Sequence, residues 1–508
     1  MDLHIAVPRT ARLAQRRSLS RAVLVAALLV LCPASFLPPA GPAARAAEGA
    51  GAAERADAPA RKPNFVVIFI DDMGYGDIGP FGSTLNRTPN LDRMASEGMK
   101  LTSFYVAAPV CTPSRAALMT GCYPARVGLP RGSGHAVLFP GDTWGLHPDE
   151  ITLAEVLRAA GYATGCFGKW HLGDQPGFLP ADQGFDVYFG IPYSNDMWPG
   201  HPGWPFPKLP LVRGREVVGE VKDMDDQAAL CRQFTEAAVE FIRGHHDRPF
   251  FVYLPHAFIH HPRQASERFM QRTKNPDRVT GGQIEEVDWS VGQLLGALRE
   301  LGIARNTLVL FTSDNGGSRG CVSRPLRGGK GSTWEGGMRE PTVAWWPGAV
   351  PAGTVCDEVC TAMDLLPTFA KLAGAQVPED RIIDGRDVAP LLRAEPGARS
   401  PHEAFFYYAG PNLRAVRSGP WKLHATGQLY NLDDDVGETR NVAAEHPDVV
   451  ARLEAHLARA RADLGDGKRK GANCRPVGVA ENPRTLLPRP GVEGDAAYAP
   501  TLSLGRRR

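Results

Sequence analysis

Five polar groups stand directly after five apolar runs in this sequence, and the carboxylate and amide oxygens among them suit the binding of a hard cation. Asp71-Asp72 follows residues 65–70, Lys169-Trp170-His171 follows 162–167, and Ser194-Asn195-Asp196 follows 186–191. His256, His260 and His261 follow 249–254, and Asp314-Asn315 follows 307–312. Each group alone reads as an ordinary turn or cap, but in an open parallel sheet the strand ends are where sites form. Asp71, Asp72, Asp314 and Asn315 offer only oxygen donors, which suit a hard cation such as Ca2+ or Mg2+. The histidines offer zinc ligands, although the paired spacing of a zinc motif is absent, so zinc is the lesser reading.

Cys111 raises a separate question. Pro113 fits the first turn of a helix, which puts Cys111 at the positive end of the helix dipole with Arg115 one turn on, where an anion is stabilised. A low-pKa thiolate nucleophile and a disulfide are the two plain readings, and neither accounts for the carboxylates and the Lys/His set. Lys330, in Gly328-Gly-Lys-Gly-Ser332, lacks phosphate-loop spacing and reads as a cation held on a glycine-rich turn. Asp77 and Asp196 read as groups behind the site or at the surface. Trp198, Trp204 and Phe206 read equally as a sugar platform and as local packing.

The elements that must position these residues are strands and helices in alternation. The apolar runs are continuous rather than alternating, as in strands covered on both faces of a parallel sheet. Helical periodicity lies between several of them, for example over 152–160 and 285–301. The pattern predicts an α/β layered domain over residues 63–400 with a large, mainly parallel central sheet flanked by helices. Short strands at 404–408, 413–416, 421–425 and 428–432 and a helix over 447–464 predict a smaller antiparallel sheet with one helix over 401–465. Residues 466–508 read as a loosely ordered tail.

The first 46 residues read as an export signal. Arg9, Arg12, Arg16, Arg17 and Arg21 precede an apolar run at 22–31, with a cleavage-like Ala44-Arg45-Ala46 after it. The run is half the roughly twenty residues a bilayer requires, so no stable membrane span is expected. Arg16-Arg17-Ser18-Leu19 resembles a twin-arginine signal, and the route stays open. Residues 47–62 read as a linker, and the mature chain as periplasmic, extracellular or lumenal. Without residues 1–46 the chain keeps 51 Lys/Arg against 54 Asp/Glu, a formal charge of −3 in place of the full chain's +2. That balance gives no support to a nucleic-acid partner. Nine cysteines include Cys32 in the leader, and Cys356 and Cys360 could pair with each other or elsewhere.

Cys111-Thr-Pro-Ser-Arg115-Ala-Ala-Leu-Met-Thr-Gly121 resembles the signature of the formylglycine-dependent sulfatases. Thr88-Pro-Asn-Leu-Asp92, Gly168-Lys-Trp-His-Leu-Gly173, Ser313-Asp-Asn-Gly316 and Gly329-Lys-Gly-Ser-Thr-Trp-Glu-Gly-Gly337 extend the similarity, which is closest to the arylsulfatase A and N-acetylgalactosamine-6-sulfatase branch. The resemblance implies an alkaline-phosphatase-like fold and a sulfuric ester hydrolase. It implies that a formylglycine-generating enzyme acts transiently to convert Cys111 to Cα-formylglycine, used as its hydrate. Asp71, Asp72, Asp314 and Asn315, with the modified Cys111, would hold calcium, with magnesium as second choice. Arg115 and His171 would steady the hydrated aldehyde. Lys169, Lys330, His260 and Ser194 would contact the sulfate or its leaving oxygen, His260 being preferred to His256 and His261 for its His-x-Pro context.

In the implied cycle one hydroxyl attacks sulfur, His260 or Lys330 protonates the leaving alcohol, and His171 helps remove the second hydroxyl's proton as sulfate departs. The expected substrates are sulfate monoesters, aryl sulfates in assay and a sulfated small molecule or carbohydrate in nature. A phosphonate monoester or phosphodiester hydrolase of the same superfamily is a second reading. A catalytically silent protein that binds sulfated glycans is a third.

Overall fold

The computed structural model describes residues 61–487 and 498–500. The export signal and most of the linker lie outside the described residues. The described residues fall in one compact unit.

Its strands are β1 (Asn64–Ile70), β2 (Met99–Tyr105), β3 (Trp144–Gly145), β4 (Ala163–Lys169), β5 (Val187–Ile191), β6 (Leu209–Arg213), β7 (Glu216–Val221) and β8 (Phe250–Pro255). They continue with β9 (Thr307–Ser313), β10 (Arg339–Trp345), β11 (Thr354–Cys356), β12 (Cys360–Thr361), β13 (Phe405–Ala409), β14 (Asn412–Ser418), β15 (Trp421–His424) and β16 (Leu429–Asn431). An 11-stranded sheet runs β11-β2-β10-β9-β1-β8-β4-β5-β6-β7, with β12 also paired to β2. Its centre, β9-β1-β8-β4-β5, is parallel. Antiparallel β10 and the β6–β7 hairpin flank that centre.

Every residue of β1 is buried, because its alternate side chains enter two different cores. Phe65, Val67 and Phe69 pack with Leu118 and Met119 of α2 (Cys111–Thr120), the helix after α1 (Pro89–Ser96), and with Leu157 of α3 (Leu153–Ala159) and Phe369. Val66, Ile68 and Ile70 pack with Leu230 and Phe234 of α4 (Met224–Gly244) and, past the short α5 (Glu267–Arg272), with Val287 and Val291 of α6 (Arg278–Glu300). A strand sandwiched in this way has no polar face to show, hence the unbroken apolar run. Thr152 caps α3 in a capping box with Glu155. The helix expected over 285–301 begins earlier, at Arg278, behind an Asp277 cap.

The C-terminal sheet, β13-β14-β15-β16, is antiparallel and carries the helix Pro447–Asp463. Of the stretch expected to be a loosely ordered tail, residues 466–487 are described and make regular contacts. Gly478–Val479 pairs with β3, and Arg475 is bound to Glu150 at 2.7 and 2.8 Å. Pairing and ion contacts supply the order that a Pro- and Gly-rich composition hides. Among the described residues all eight cysteines are free thiols, Cys356 and Cys360 included.

Candidate active site

Parallel pairing brings the polar groups together. Ile70 of β1 is in register with Ser313 of β9, so Asp71-Asp72 and Asp314-Asn315 leave the sheet side by side. Lys169 ends β4, on the far side of β8, and the His256–His261 segment leaves β8 between them. Gly168 permits this crowding: it stands at φ 139, and a Cβ there would meet Pro255 O at 1.9 Å. Asp72 and His171 themselves hold positive φ, 66 and 63 degrees, backbone strain of the kind that collects at functional sites.

The resulting cluster is buried and highly charged. Lys169 Nζ donates to Asp71 Oδ2 at 2.6 Å and to Ser194 Oγ at 3.1 Å. Arg115 donates to Asp314 Oδ2 at 2.7 and 3.1 Å and to Lys169 O at 3.0 Å, with Asp71 Oδ2 3.5 Å away. Lys330 Nζ lies 2.8 Å from Asp72 Oδ2 and 3.8 Å from Cys111 Sγ, and that sulfur is 3.4 Å from Asp71 Oδ1. His260 Nε2 stands 3.7 Å from Asp72 Oδ2. One donor atom each from Asp71, Asp72, Cys111 and His260 fall within 4.8 Å of one another. Asn315 donates through Nδ2 to Asp72 Oδ1 at 2.8 Å, which leaves its Oδ1 buried without a hydrogen-bond partner.

Electrostatics follow from this packing. Burial would raise the Asp71 and Asp72 carboxyls, but Lys169 for the first and Lys330 for the second, with His260 for both, hold them below the usual carboxylate range. Asp314 goes the other way, pushed up to about 6 by burial and then by the charge of Asp71. Three converging carboxylates and an orphaned amide oxygen fit a hard divalent ion, which would relieve that repulsion and take up the free oxygen.

Burial lowers His171 well below its ordinary range, with Lys169 and Arg115 adding to the effect. Its Nε2 is 3.0 Å from Leu138 O, and a carbonyl only accepts, so Nε2 carries the proton and Nδ1 presents a lone pair without a partner.

Cys111 opens α2 as expected, yet the helix dipole does not make it a thiolate. Burial, then Asp314 and Asp71, push the thiol well above its ordinary value against Lys169 and Lys330. The thiolate reading fails for that reason, and the disulfide reading because Cys111 is a free thiol. Its Sγ stands between Asp71 Oδ1 and Lys330 Nζ, at 3.4 and 3.8 Å.

Other expectations are sorted by the same geometry. His256 points away, bound to Ser290 Oγ at 3.0 Å and pushed down to about 3 by burial, and His261 is exposed. Asp196 lies behind His260, 4.0 Å from its Nδ1. Asp77 is buried, accepting from Gly74 N at 2.8 Å and Val322 N at 2.9 Å to fasten the loop after β1. Trp204 and Phe206 pack on Phe139, centroids 5.3 and 5.1 Å apart, and Trp198 and Phe206 are buried, which favours packing over a sugar platform. Sequence reasoning missed Thr112, whose hydroxyl donates to His171 O and accepts from Leu138 N, both at 3.1 Å. It also missed the Leu138 carbonyl itself, for which a sequence carries no signal.

A family model described as Sulfatase matches residues 63–375, and one described as N-sulphoglucosamine sulphohydrolase, C-terminal, matches 329–463. Arylsulfatase A of Homo sapiens is 38% identical over 462 residues, covering 80% of this chain and 89% of that protein. N-acetylgalactosamine-6-sulfatase of Sus scrofa is 42% identical over 383 residues, with 71% of each covered. Among solved structures, Ps i-CgsB aligns with a TM-score of 0.70 at 32% identity, over 78% of this chain and 92% of that one. It has also been solved in complex with k-i-k-neocarrahexaose.

Proposed function

The chain belongs to the sulfatase family and is a sulfuric ester hydrolase of alkaline-phosphatase-like fold, and on that premise we propose that it works through a formylglycine made from Cys111 and a bound calcium ion. The single observation that carries this reading is Cys111 Sγ held between Asp71 Oδ1 and Lys330 Nζ inside the carboxylate cluster. When bound, the ion and the hydrated aldehyde supply charge neutralisation and an oxygen nucleophile.

The rest is done by side chains of this chain. Lys169, Lys330 and Ser194 hold the sulfate oxygens, and Arg115 keeps Asp314 and Asp71 in place by donating to the first and flanking the second. His260 donates from Nδ1 to His261 O at 2.8 Å, which turns Nε2 toward Asp72, and a second proton carried on Nε2 is the one it gives to the leaving oxygen. His171, neutral and with a free Nδ1, accepts the proton of the second hydroxyl. The leader at 1–46 supports export, and among the described residues no helix is long and apolar enough to cross a membrane. A sulfated carbohydrate is the substrate class the reading supports best.

Two measurements test this. The peptide containing Cys111, from protein made with a formylglycine-generating enzyme, is expected to be lighter by about 18 Da than its sequence mass, the change from thiol to aldehyde. An unmodified thiol in protein that turns over an aryl sulfate would sink the reading. Among the histidines, His260→Ala is expected to lower kcat by about 100-fold, whereas folded His256→Gln keeps kcat even where its melting temperature drops. The reverse pattern would move the acid role to His256.

A further inference from the structure

Lys330 sits on a turn with little side-chain mass to hold it. Lys330 N donates to Gly317 O at 3.0 Å, Gly331 N to Pro109 O at 2.9 Å, and Ser332 Oγ to Gly329 O at 2.7 Å. The ammonium is nonetheless aimed closely at Asp72 and Cys111.

What grips the turn comes from the C-terminal sheet. Lys422 of β15 is fully buried, and its three protons have three acceptors: Thr333 O at 2.8 Å, Glu335 Oε1 at 2.9 Å and Glu438 Oε1 at 2.9 Å. Its Nζ also lies 4.1 Å from the centroid of the Tyr407 ring. Glu438 accepts from Glu335 N through Oε2 at 2.7 Å, while its backbone carbonyl accepts from Arg327 Nη1 at 2.8 Å. Arg327 stacks on Trp334 at 3.7 Å, and its own carbonyl accepts from Gly336 N at 2.8 Å. The segment from Arg327 to Glu335 is thus clamped at both ends by Glu438 and at Thr333 by Lys422. Glu335 is tied in further by the Tyr105 and Tyr407 hydroxyls at 2.5 and 2.8 Å.

Buried ion pairs are a poor source of stability, since their desolvation cost about cancels their attraction. What a saturated network does supply is geometric definition. We infer that Lys422 is a positioning residue for the reaction: together with Glu438 it fixes the glycine-rich turn so that the Lys330 ammonium meets the sulfate oxygens. The C-terminal sheet thereby completes a catalytic centre to which it contributes no contacting group. This rests on the reading of Lys330 as a substrate cation.

A mutant cycle on the full-length, modified enzyme tests it with an aryl sulfate as substrate. Lys330→Ala alone is expected to lower kcat by about 100-fold, and Lys422→Met by about 10-fold or more through the displaced turn. If Lys422 acts through Lys330, adding Lys422→Met to Lys330→Ala costs less than a further factor of about 2, because there is no ammonium left to misplace. Losses that multiply in the double variant, or a folded Lys422→Met with wild-type kcat and only a lower melting temperature, would overturn the inference. Should Lys422→Met not fold, Glu438→Gln, which keeps the shape and an acceptor oxygen, takes its place in the same cycle with the same two outcomes. A Lys330→Ala enzyme with unchanged kcat would instead refute the premise about Lys330.

Discussion

Replacing Cys111 by serine is expected to lower steady-state turnover of an aryl sulfate by about 10,000-fold or more, with the fold intact. The fold is spared because Cys111 is 2% exposed in a polar setting, and a hydroxyl in place of its Sγ can donate to Asp71 Oδ1, now 3.4 Å away. The chemistry is lost for a different reason. A serine brings one oxygen where a hydrated aldehyde brings two on one carbon, so sulfur transferred to serine has no neighbouring hydroxyl to expel it. Unconverted cysteine fares no better, since burial and the Asp314 and Asp71 charges keep its proton on. Activity of wild-type preparations is therefore expected to scale with the fraction of Cys111 peptide carrying the mass loss. Full multiple turnover by Cys111→Ser, measured by product release against enzyme concentration, would end the aldehyde reading.

The parallel centre of the sheet was legible because burial on both faces leaves a plain mark, an unbroken apolar run. The site was legible because it gathers at the ends of those same runs: Asp71, Lys169 and Asp314 each stand within one residue of a strand's last position. Less was visible where burial is uneven. Strand β2 mixes buried Met99 and Leu101 with half-buried Lys100 and Thr102, and β7 is mostly half-exposed at a sheet edge. Partners far apart in the chain leave no mark at all. Lys422 and Glu335 are 87 residues apart, and although Glu335 falls in the Gly329–Gly337 segment, Lys422 stands in no recognisable motif, so only the fold reveals that they share one clamp. For Cys111 the helix-dipole argument was sound but incomplete, because a partial charge at a helix end is outweighed when the thiol is buried and two carboxylates share its pocket.

Asp314→Ala is expected to abolish turnover, by about 1,000-fold or more, while changing the stability of the chelated protein little. Two effects on stability oppose each other. The variant takes from Arg115 its closest acceptor, at 2.7 Å, but leaves it Lys169 O at 3.0 Å and Asp71 at 3.5 Å. It also removes a carboxylate that burial and Asp71 push up to about 6, so it relieves a repulsion present whenever no cation is there. What the variant cannot recover is the ion. In the wild type, calcium at 100 times its Kd is expected to add about 2.7 kcal/mol to the folded state, read as a rise in melting temperature over a chelated sample. That rise should nearly vanish in Asp314→Ala. The pH dependence carries the same signature. A carboxyl whose folded value is raised costs the cation-free fold stability as pH climbs from its unfolded value, near 4, through about 6. Calcium must displace that proton below pH 6, so its stabilisation of the wild type is expected to grow from pH 5 to pH 7 and then level off. Equal calcium shifts in wild type and variant, with the same pH profile, would show that Asp314 belongs to the arginine pair alone and that the ion is held by Asp71 and Asp72 without it.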